Sequence, residues 1–207
     1  FNERHGDGSA GAVMIDTIET RARNSDEIER GLDAVGEGLF TFVELPIEKD
    51  CRGLIAALSG RYGGAKVRTG GVTAEAYPGT EDLAGFLVSC AAADVPFKAT
   101  AGLHHAMRHQ SEQPACMSHG FLNVFLAAIA AWHGRASRDE VRGILDEQSP
   151  GFFRFEDDIV RFGRFEFDND VVAQGRERFA LSFGSCSFDE PLEDLRTNRL
   201  LTEAPVQ

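Results

Sequence analysis

The chain has little lysine: 3 of its 21 basic residues are lysine and the other 18 are arginine. Two of the three, Lys66 and Lys98, lie in short apolar runs of the kind that form buried strands. A buried ammonium group costs several kcal/mol unless a partner compensates its charge. The two lysines therefore predict a polar site on neighbouring strands.

Long apolar runs, clustered positive charge and a dinucleotide fingerprint are also missing. The longest apolar run, Val124 to Trp132, falls short of the ~18 residues that a membrane span requires. The net charge of −12 argues against a groove for nucleic acid. No G-x-G-x-x-G follows the first predicted strand. We therefore predict no membrane, no nucleic-acid partner and no cofactor.

The 4 cysteines are widely scattered and include no C-x-x-C pair. This spacing excludes a zinc ribbon and argues against a disulfide scaffold. It favours a reduced, cytoplasmic protein. The cysteines are Cys51, Cys90, Cys116 and Cys186.

The 207 residues and 43% hydrophobic content fit one soluble domain over 1–207. Residues 1–11 are polar and glycine-rich, and we predict a flexible lead-in there. Strands and helices then alternate up to about residue 101, which predicts right-handed crossovers and a parallel sheet. The predicted strands are 12–20, 39–47, 65–69 and 95–101, and the predicted helices are 24–35, 50–63 and 78–93.

Either an open doubly wound sheet or a (β/α) barrel fits this alternation. Polar residues within the strands favour the barrel, whose interior holds polar side chains near the site. After the fourth strand we predict helices at 121–132 and from Ser137, a small β-hairpin insertion at 151–168, a late strand at 179–188 and a terminal helix. Because a complete barrel needs about 250 residues, we expect an α/β fold with a partial or distorted (β/α) barrel.

The alternation of strand side chains places the candidate site residues on shared faces. Lys66 and Arg68 lie on one face of their strand, and Lys98 and Thr100 on one face of the next. If these faces point inward, Asp16 and Glu44 face the lysines, and the carboxylates can move protons. A purely structural ion-pair layer is the alternative.

The run Lys98-Ala99-Thr100-Ala101-Gly102 resembles the Schiff-base lysine strand of deoxyribose-phosphate aldolase and related class I aldolases. Lys66 to Gly70-Gly71 is similar to the strand that carries their second lysine. The resemblance implies that Lys98 is the nucleophile. Lysine attacks a carbonyl only when it is neutral, and Lys66 or Arg68 could supply the second cation that favours this form.

Glycines at strand ends expose backbone N–H groups that can hold phosphate or carboxylate. Histidines follow the last of them, and His104 and His105 are candidates for acid/base or anion contacts. We predict Lys98, Lys66, Glu44 and His104 as catalytic residues. The predicted substrate-binding residues are Arg68, Thr69, Gly70, Gly71, Thr100, Gly102 and His105.

Metal binding and thiol chemistry are further alternatives. His105 and His109 would share a face if their segment were helical, and two such histidines with a carboxylate can bind zinc. No third ligand is evident, so we predict no metal. Cys186 is a candidate nucleophile near His104, although buried cysteines mostly only pack.

These features together predict an enzyme that acts on a small anionic carbonyl or phosphorylated metabolite, with a Schiff-base lyase as the most concrete version. A phosphoribosyl transferase, a metal-dependent lyase, and a non-catalytic binding or assembly protein stay open, as does a homo-oligomer. Since barrel sites collect at the carboxyl ends of strands, Glu44, Arg68, Lys98 and His104 should line one pocket.

Overall fold

The computed structural model describes residue 2 and residues 13–36 and 38–201. Apart from Asn2, the predicted lead-in lies outside the described residues, as does the first residue of the first predicted strand. The strands are β1 (Thr17–Arg21), β2 (Phe40–Glu44), β3 (Gly63–Arg68), β4 (Phe97–Thr100), β5 (His109–Ser111), β6 (Cys116–Ser118), β7 (Phe153–Phe155), β8 (Ile159–Phe162), β9 (Phe165–Asp168) and β10 (Ala180–Gly184). The helices are α1 (Ser25–Val35), α2 (Arg52–Ala56), α3 (Thr80–Ala93), α4 (Phe121–Trp132), α5 (Arg138–Asp146), α6 (Asn169–Arg178) and α7 (Asp189–Thr197).

Five parallel strands form the central sheet, in the order β1-β2-β3-β4-β10. Each new strand adds at the same edge, so right-handed crossovers place successive helices on the same face. The predicted α/β class and the parallel sheet are confirmed. The sheet is not closed into a barrel in the described part of the chain, because β1 and β10 are its two ends.

The helix-covered face of the sheet is apolar. Phe97 of β4 contacts the rings of Phe86 on α3 and Phe125 on α4, and its own ring is fully buried. Val43 and Val67 of β2 and β3 are also fully buried. Burial of such side chains stabilises a fold by about 1.5–3 kcal/mol each. The apolar face therefore anchors the sheet and leaves the opposite face for polar residues.

Two small antiparallel sheets accompany the central one. The predicted insertion at 151–168 is confirmed as a β-sheet, and it has three strands, β7-β8-β9, rather than two. The pair β5-β6 was not predicted. It places His109 in a strand, so the helical arrangement considered for His105 and His109 is wrong. Over the described ranges, no helix is both long and apolar enough to cross a membrane.

Candidate functional site

Charged side chains occupy the sheet face opposite to the helices. Strand register places Arg21 beside Glu44, Glu44 beside Lys66 and Lys66 beside Lys98. Glu19 lies two residues before Arg21, on the same face of β1. We call these residues, together with Arg68 two residues beyond Lys66, the ion-pair layer.

Close contacts connect the ion-pair layer. Lys66 Nζ lies 2.5 Å from Glu19 Oε2 and 3.0 Å from Glu44 Oε2. Lys98 Nζ lies 2.7 Å from Glu19 Oε1. Arg21 Nη2 lies 2.8 Å from Glu44 Oε1, and Arg68 Nε lies 3.8 Å from the same oxygen. Each carboxylate therefore serves at least two cations.

The ion pairs outweigh the burial of these groups. Burial by itself raises the pKa of Glu44, but hydrogen bonding and charge from Lys66 hold it below its ordinary value, with help from Arg21 and Arg68. Burial likewise lowers the pKa of Lys66, but its bonds to Glu19 and Glu44 raise it overall. Both groups are therefore charged at neutral pH. Glu44 in this state is a poor proton acceptor.

The carboxylate that faces the lysines from β1 is Glu19, whereas the sequence pattern suggested Asp16. Residues 17, 19 and 21 of β1 share the face that pairs with Phe42 and Glu44. Asp16 precedes the strand, and its side chain accepts a hydrogen bond from Thr17. Alternation alone predicts two faces without saying which one faces the lysines; the pairing register decides this.

Lys98 is held by its neighbours on this face. Its ammonium group pairs with Glu19 and lies 5.7 Å from the centre of the Phe42 ring. Carboxylate and aromatic face both favour a cation. A paired ammonium group has no lone pair for attack on a carbonyl.

The turn after β4 brings several predicted binding residues against one another. Ala101 and Gly102 have φ values of 67° and 76°, so the chain turns through a left-handed conformation. A Cβ at Gly70 would lie 2.7 Å from the Gly102 Cα, so glycine permits the close approach of the two loops. Thr69 is fully buried, and its hydroxyl donates to the Ala101 carbonyl at 2.7 Å. The hydroxyl of Thr100 donates to the Val67 carbonyl at 3.4 Å.

His104 follows this turn and meets the loop after β10. Its Nδ1 lies 2.9 Å from Glu190 Oε2 and 3.2 Å from the hydroxyl of Ser185. Cys186 Sγ lies 3.8 Å from both ring nitrogens of His104. We call Cys186, His104 and Glu190 the edge triad, because it lies at the carboxyl ends of β4 and β10.

The edge triad is accessible and nearly assembled for proton transfer. Nδ1 contacts the carboxylate, so the second nitrogen, Nε2, is free for a proton or a substrate. Because the Cys186 sulfur is equally far from both ring nitrogens, its thiol is not aligned with either of them. Cys186 is exposed, and catalytic contacts are often this loose without substrate.

A second histidine group adjoins the triad. His105 Nδ1 lies 3.0 Å from Asp194 Oδ1, and His109 Nδ1 lies 3.1 Å from the Met107 carbonyl oxygen. The two imidazole rings are 4.1 Å apart. Burial lowers the pKa of His109, and the nearby His105 adds to the effect. His109 is therefore neutral at pH 7.

The predicted site residues are distributed over several places. Glu44 and Arg68 line a cleft at the ends of β1, β2 and β3, together with Arg21. The residues that line this cleft include neither Lys98 nor His104. Lys66 and Lys98 lie in the ion-pair layer, His104 belongs to the edge triad, and Gly71 lies in the loop that contacts Ala76.

The sequence interpretation missed Glu19, Glu190 and Asp194. The alternation of Thr17 to Arg21 was the available signal for Glu19. Glu190 and Asp194 are separated from their histidines by more than 80 residues, and four residues apart on a helix they share one face. That spacing, beside Cys186, was the available signal for an edge site.

Comparisons with protein-family models, with curated proteins and with solved structures found no match to this chain. They neither support nor refute the resemblance to class I aldolases, which stays a prediction.

Proposed function

We propose that this protein is an enzyme that uses the Cys186 thiol to attack the carbonyl carbon of a small anionic metabolite. The contact of His104 with both Glu190 and Cys186 is the observation that carries the proposal. The location adds support, because sites of parallel α/β folds gather at the carboxyl ends of strands. We also propose that the five-stranded sheet is a partial (β/α) barrel whose inner face is the ion-pair layer.

The roles follow from the geometry. Glu190 holds the His104 ring through Nδ1, and Nε2 takes the proton from the Cys186 thiol. The sulfur bonds to the carbonyl carbon of an ester or amide in the substrate, the bond from that carbon to the alcohol or amine breaks, and His104 gives the proton to this leaving group. Water then attacks the thioester carbon, with His104 as the base, and the released thiol recovers its proton. The cycle consumes water and needs no other reactant.

The Schiff-base lyase is the weaker form of the enzyme proposal. Lys98 would have to leave its contact with Glu19 and also lose a proton before its nitrogen could attack a carbonyl. The positive charge of Lys98 serves instead to fix Glu19, and through it Lys66. Conversion of Lys98 to Met should therefore leave thiol reactivity at the edge triad unchanged.

Thiol labelling tests the proposal directly. With iodoacetamide at pH 7, followed by peptide mass spectrometry, we expect His104→Ala to slow labelling of Cys186 about tenfold, because the base is lost. Cys116, which is partly buried, supplies an internal reference in every sample. Glu190→Gln should slow labelling of Cys186, whereas Glu193→Gln in the same helix should not. An unchanged rate in His104→Ala would refute the role of His104.

An activated ester tests the carbonyl chemistry. Incubation with p-nitrophenyl acetate should place an acetyl group on Cys186, visible as a mass increase on its peptide. The adduct should be absent in Cys186→Ser and persist in Cys116→Ser. Acetylation that is spread equally over the cysteines would contradict a specific nucleophile.

A metal-dependent enzyme is the second candidate, and one observation favours it. Donor atoms of His104, Cys186 and Glu190 all lie within 4.8 Å of one another. Nitrogen, sulfur and carboxylate oxygen are the ligands that zinc takes, and three protein ligands are typical of a catalytic site. Equilibrium dialysis at micromolar free zinc should then give one zinc per chain, lost in His104→Ala and retained in Cys116→Ser. Absence of bound zinc would eliminate this candidate and leave the thiol mechanism standing.

A further inference from the structure

A cleft of about 320 Å³ opens at the carboxyl ends of β1, β2 and β3. Three arginines line it, Arg21, Arg23 and Arg68. Ligands of parallel α/β sheets bind outside the carboxyl ends of the strands. The volume is at the small end of the range of about 300–1,000 Å³ for ligand sites. The cleft therefore suits a compact molecule.

Two of the arginines are oriented by one partly buried carboxylate. Glu44, whose side chain is 12% exposed, contacts Arg21 at 2.8 Å and Arg68 at 3.8 Å. The side chains of Arg21 and Arg68 are 64% and 47% exposed. Each guanidinium group has five N–H donors, so contact with Glu44 leaves donors free for a ligand. Glu44 thus positions both guanidinium groups and leaves N–H donors on each of them for a ligand.

The ion-pair layer, part of which lines the cleft, carries an excess of positive charge. In the ion-pair layer four cations share two carboxylates, Glu19 and Glu44, although the whole chain carries −12. Glu48 and Glu75 line the cleft as well. The Glu75 carboxylate is engaged by backbone N–H and by Thr73, and these bonds lower its pKa. Both carboxylates oppose an anion, and with Glu44 they balance the charge of the three arginines that line the cleft.

We infer that this cleft is a binding site for the phosphate group of a small metabolite, with Arg21 and Arg68 as the donors and Glu44 as the residue that positions them. Planar guanidinium groups bind phosphate through paired hydrogen bonds, and two of them match a dianion. This site is distinct from the edge triad and does not depend on its chemistry.

Titration with inorganic phosphate, followed by calorimetry or by NMR shifts, tests the inference. We expect saturable binding that weakens about tenfold in Arg68→Gln and in Arg21→Gln, because each loses charge-assisted hydrogen bonds. The phosphate affinity of Arg68→Lys should lie between those of wild type and Arg68→Gln, because lysine keeps the charge but lacks the planar guanidinium group. The control is Arg61→Gln, which removes the same charge near the start of β3, where Arg61 pairs with Asp33.

Glu48→Gln separates an anion site from a cation site. Loss of this carboxylate should strengthen phosphate binding a few-fold, whereas the same loss at a cation site would not strengthen binding of the cation. Acetate, a monoanion, should bind more weakly than phosphate; equal or tighter acetate binding would assign the cleft to carboxylates and refute the phosphate group. Equal weakening in Arg61→Gln and Arg68→Gln, or no saturable binding, would overturn the inference.

Discussion

Lys66→Met should destabilise the protein by about 2–3 kcal/mol at pH 7, somewhat less than the cost of about 3–5 kcal/mol for breaking a fully buried ion pair. The Lys66 side chain is 11% exposed and bridges Glu19 and Glu44. Methionine keeps the length of the side chain but leaves two carboxylates with less compensation. Arg21 and Lys98 still contact these carboxylates, which keeps the loss below the full cost. Urea unfolding at equilibrium measures the free energy of unfolding.

The control is Lys49→Met, the same substitution at an exposed lysine. It should change the free energy of unfolding by no more than about 0.5 kcal/mol. If Lys66→Met were as mild as Lys49→Met, the ion-pair layer would contribute nothing to stability. In that case the charges of this face would be retained for a ligand rather than for the fold.

The destabilisation caused by Lys66→Met should depend on pH. Glu19 and Glu44 have lowered pKa values in the folded protein, so their stabilising effect is present above the unfolded value near 4.3 and is lost as the pH falls through the folded value. Lys66 has a raised pKa, so its effect is present below about 10.4 and is lost as the pH rises further. The difference between wild type and Lys66→Met should therefore be largest near neutrality and shrink at both extremes.

The strands and the helices of the central sheet could be predicted because each signal is local. Apolar runs such as Phe40–Glu44 are bounded by glycine or capping residues, and the alternation of strands and helices restricts the topology to parallel forms. The pair β5-β6 escaped prediction because its strands have only three residues each, and β5 is entirely polar. Such strands carry too little hydrophobic pattern to be separated from a loop.

The sites were less predictable, because both depend on distant pairings. His104 and Cys186 meet only because β10 pairs with β4, although most of the chain between these strands forms other elements. No local pattern specifies which strand occupies that edge. Glu19 was missed for a related reason, since the face of β1 that meets Lys66 is set by register with β2. Residue types indicated chemistry, and the topology determined which residues share a site.

A buried asparagine holds the loop that follows His104 and His105. Asn123 of α4 is fully buried, and its Nδ2 donates to the carbonyl oxygens of Ile144 and Glu147 at 2.8 Å each. Its Oδ1 accepts from the backbone N–H of Arg108 at 2.8 Å. One side chain thus joins α4, the end of α5 and the loop after His105.

Other contacts pin the same loop. The His105 and Ala106 carbonyls accept hydrogen bonds from the first backbone N–H groups of α4, at 2.9 and 3.0 Å. Fully buried His119 contacts the Pro78 carbonyl at 2.8 Å and Arg108 at 3.3 Å, and burial lowers its pKa to about 4. His119 is therefore a neutral structural residue, and Asn123 is the central member of this anchor.

Asn123→Leu should destabilise the protein by about 4 kcal/mol, because leucine of similar size leaves three backbone groups without their bonds, each worth about 1–3 kcal/mol when buried. The gain in apolar burial offsets part of this loss. The matched control is Asn169→Leu, at an exposed asparagine whose side chain donates a hydrogen bond to the Asp157 carbonyl, and it should cost no more than about 1 kcal/mol.

The loop that follows His105 should also become less protected in Asn123→Leu. Hydrogen exchange of the Arg108 amide, which donates to Asn123, should speed up in Asn123→Leu even where the protein stays folded. His105 and His109 flank this amide, so their ring contact should weaken, and NMR of the imidazole protons reports it. A variant as stable as wild type, with a protected Arg108 amide, would mean that water or repacking replaces all three bonds. The order of the loop would then come from the α4 N-terminus and Asp194 alone.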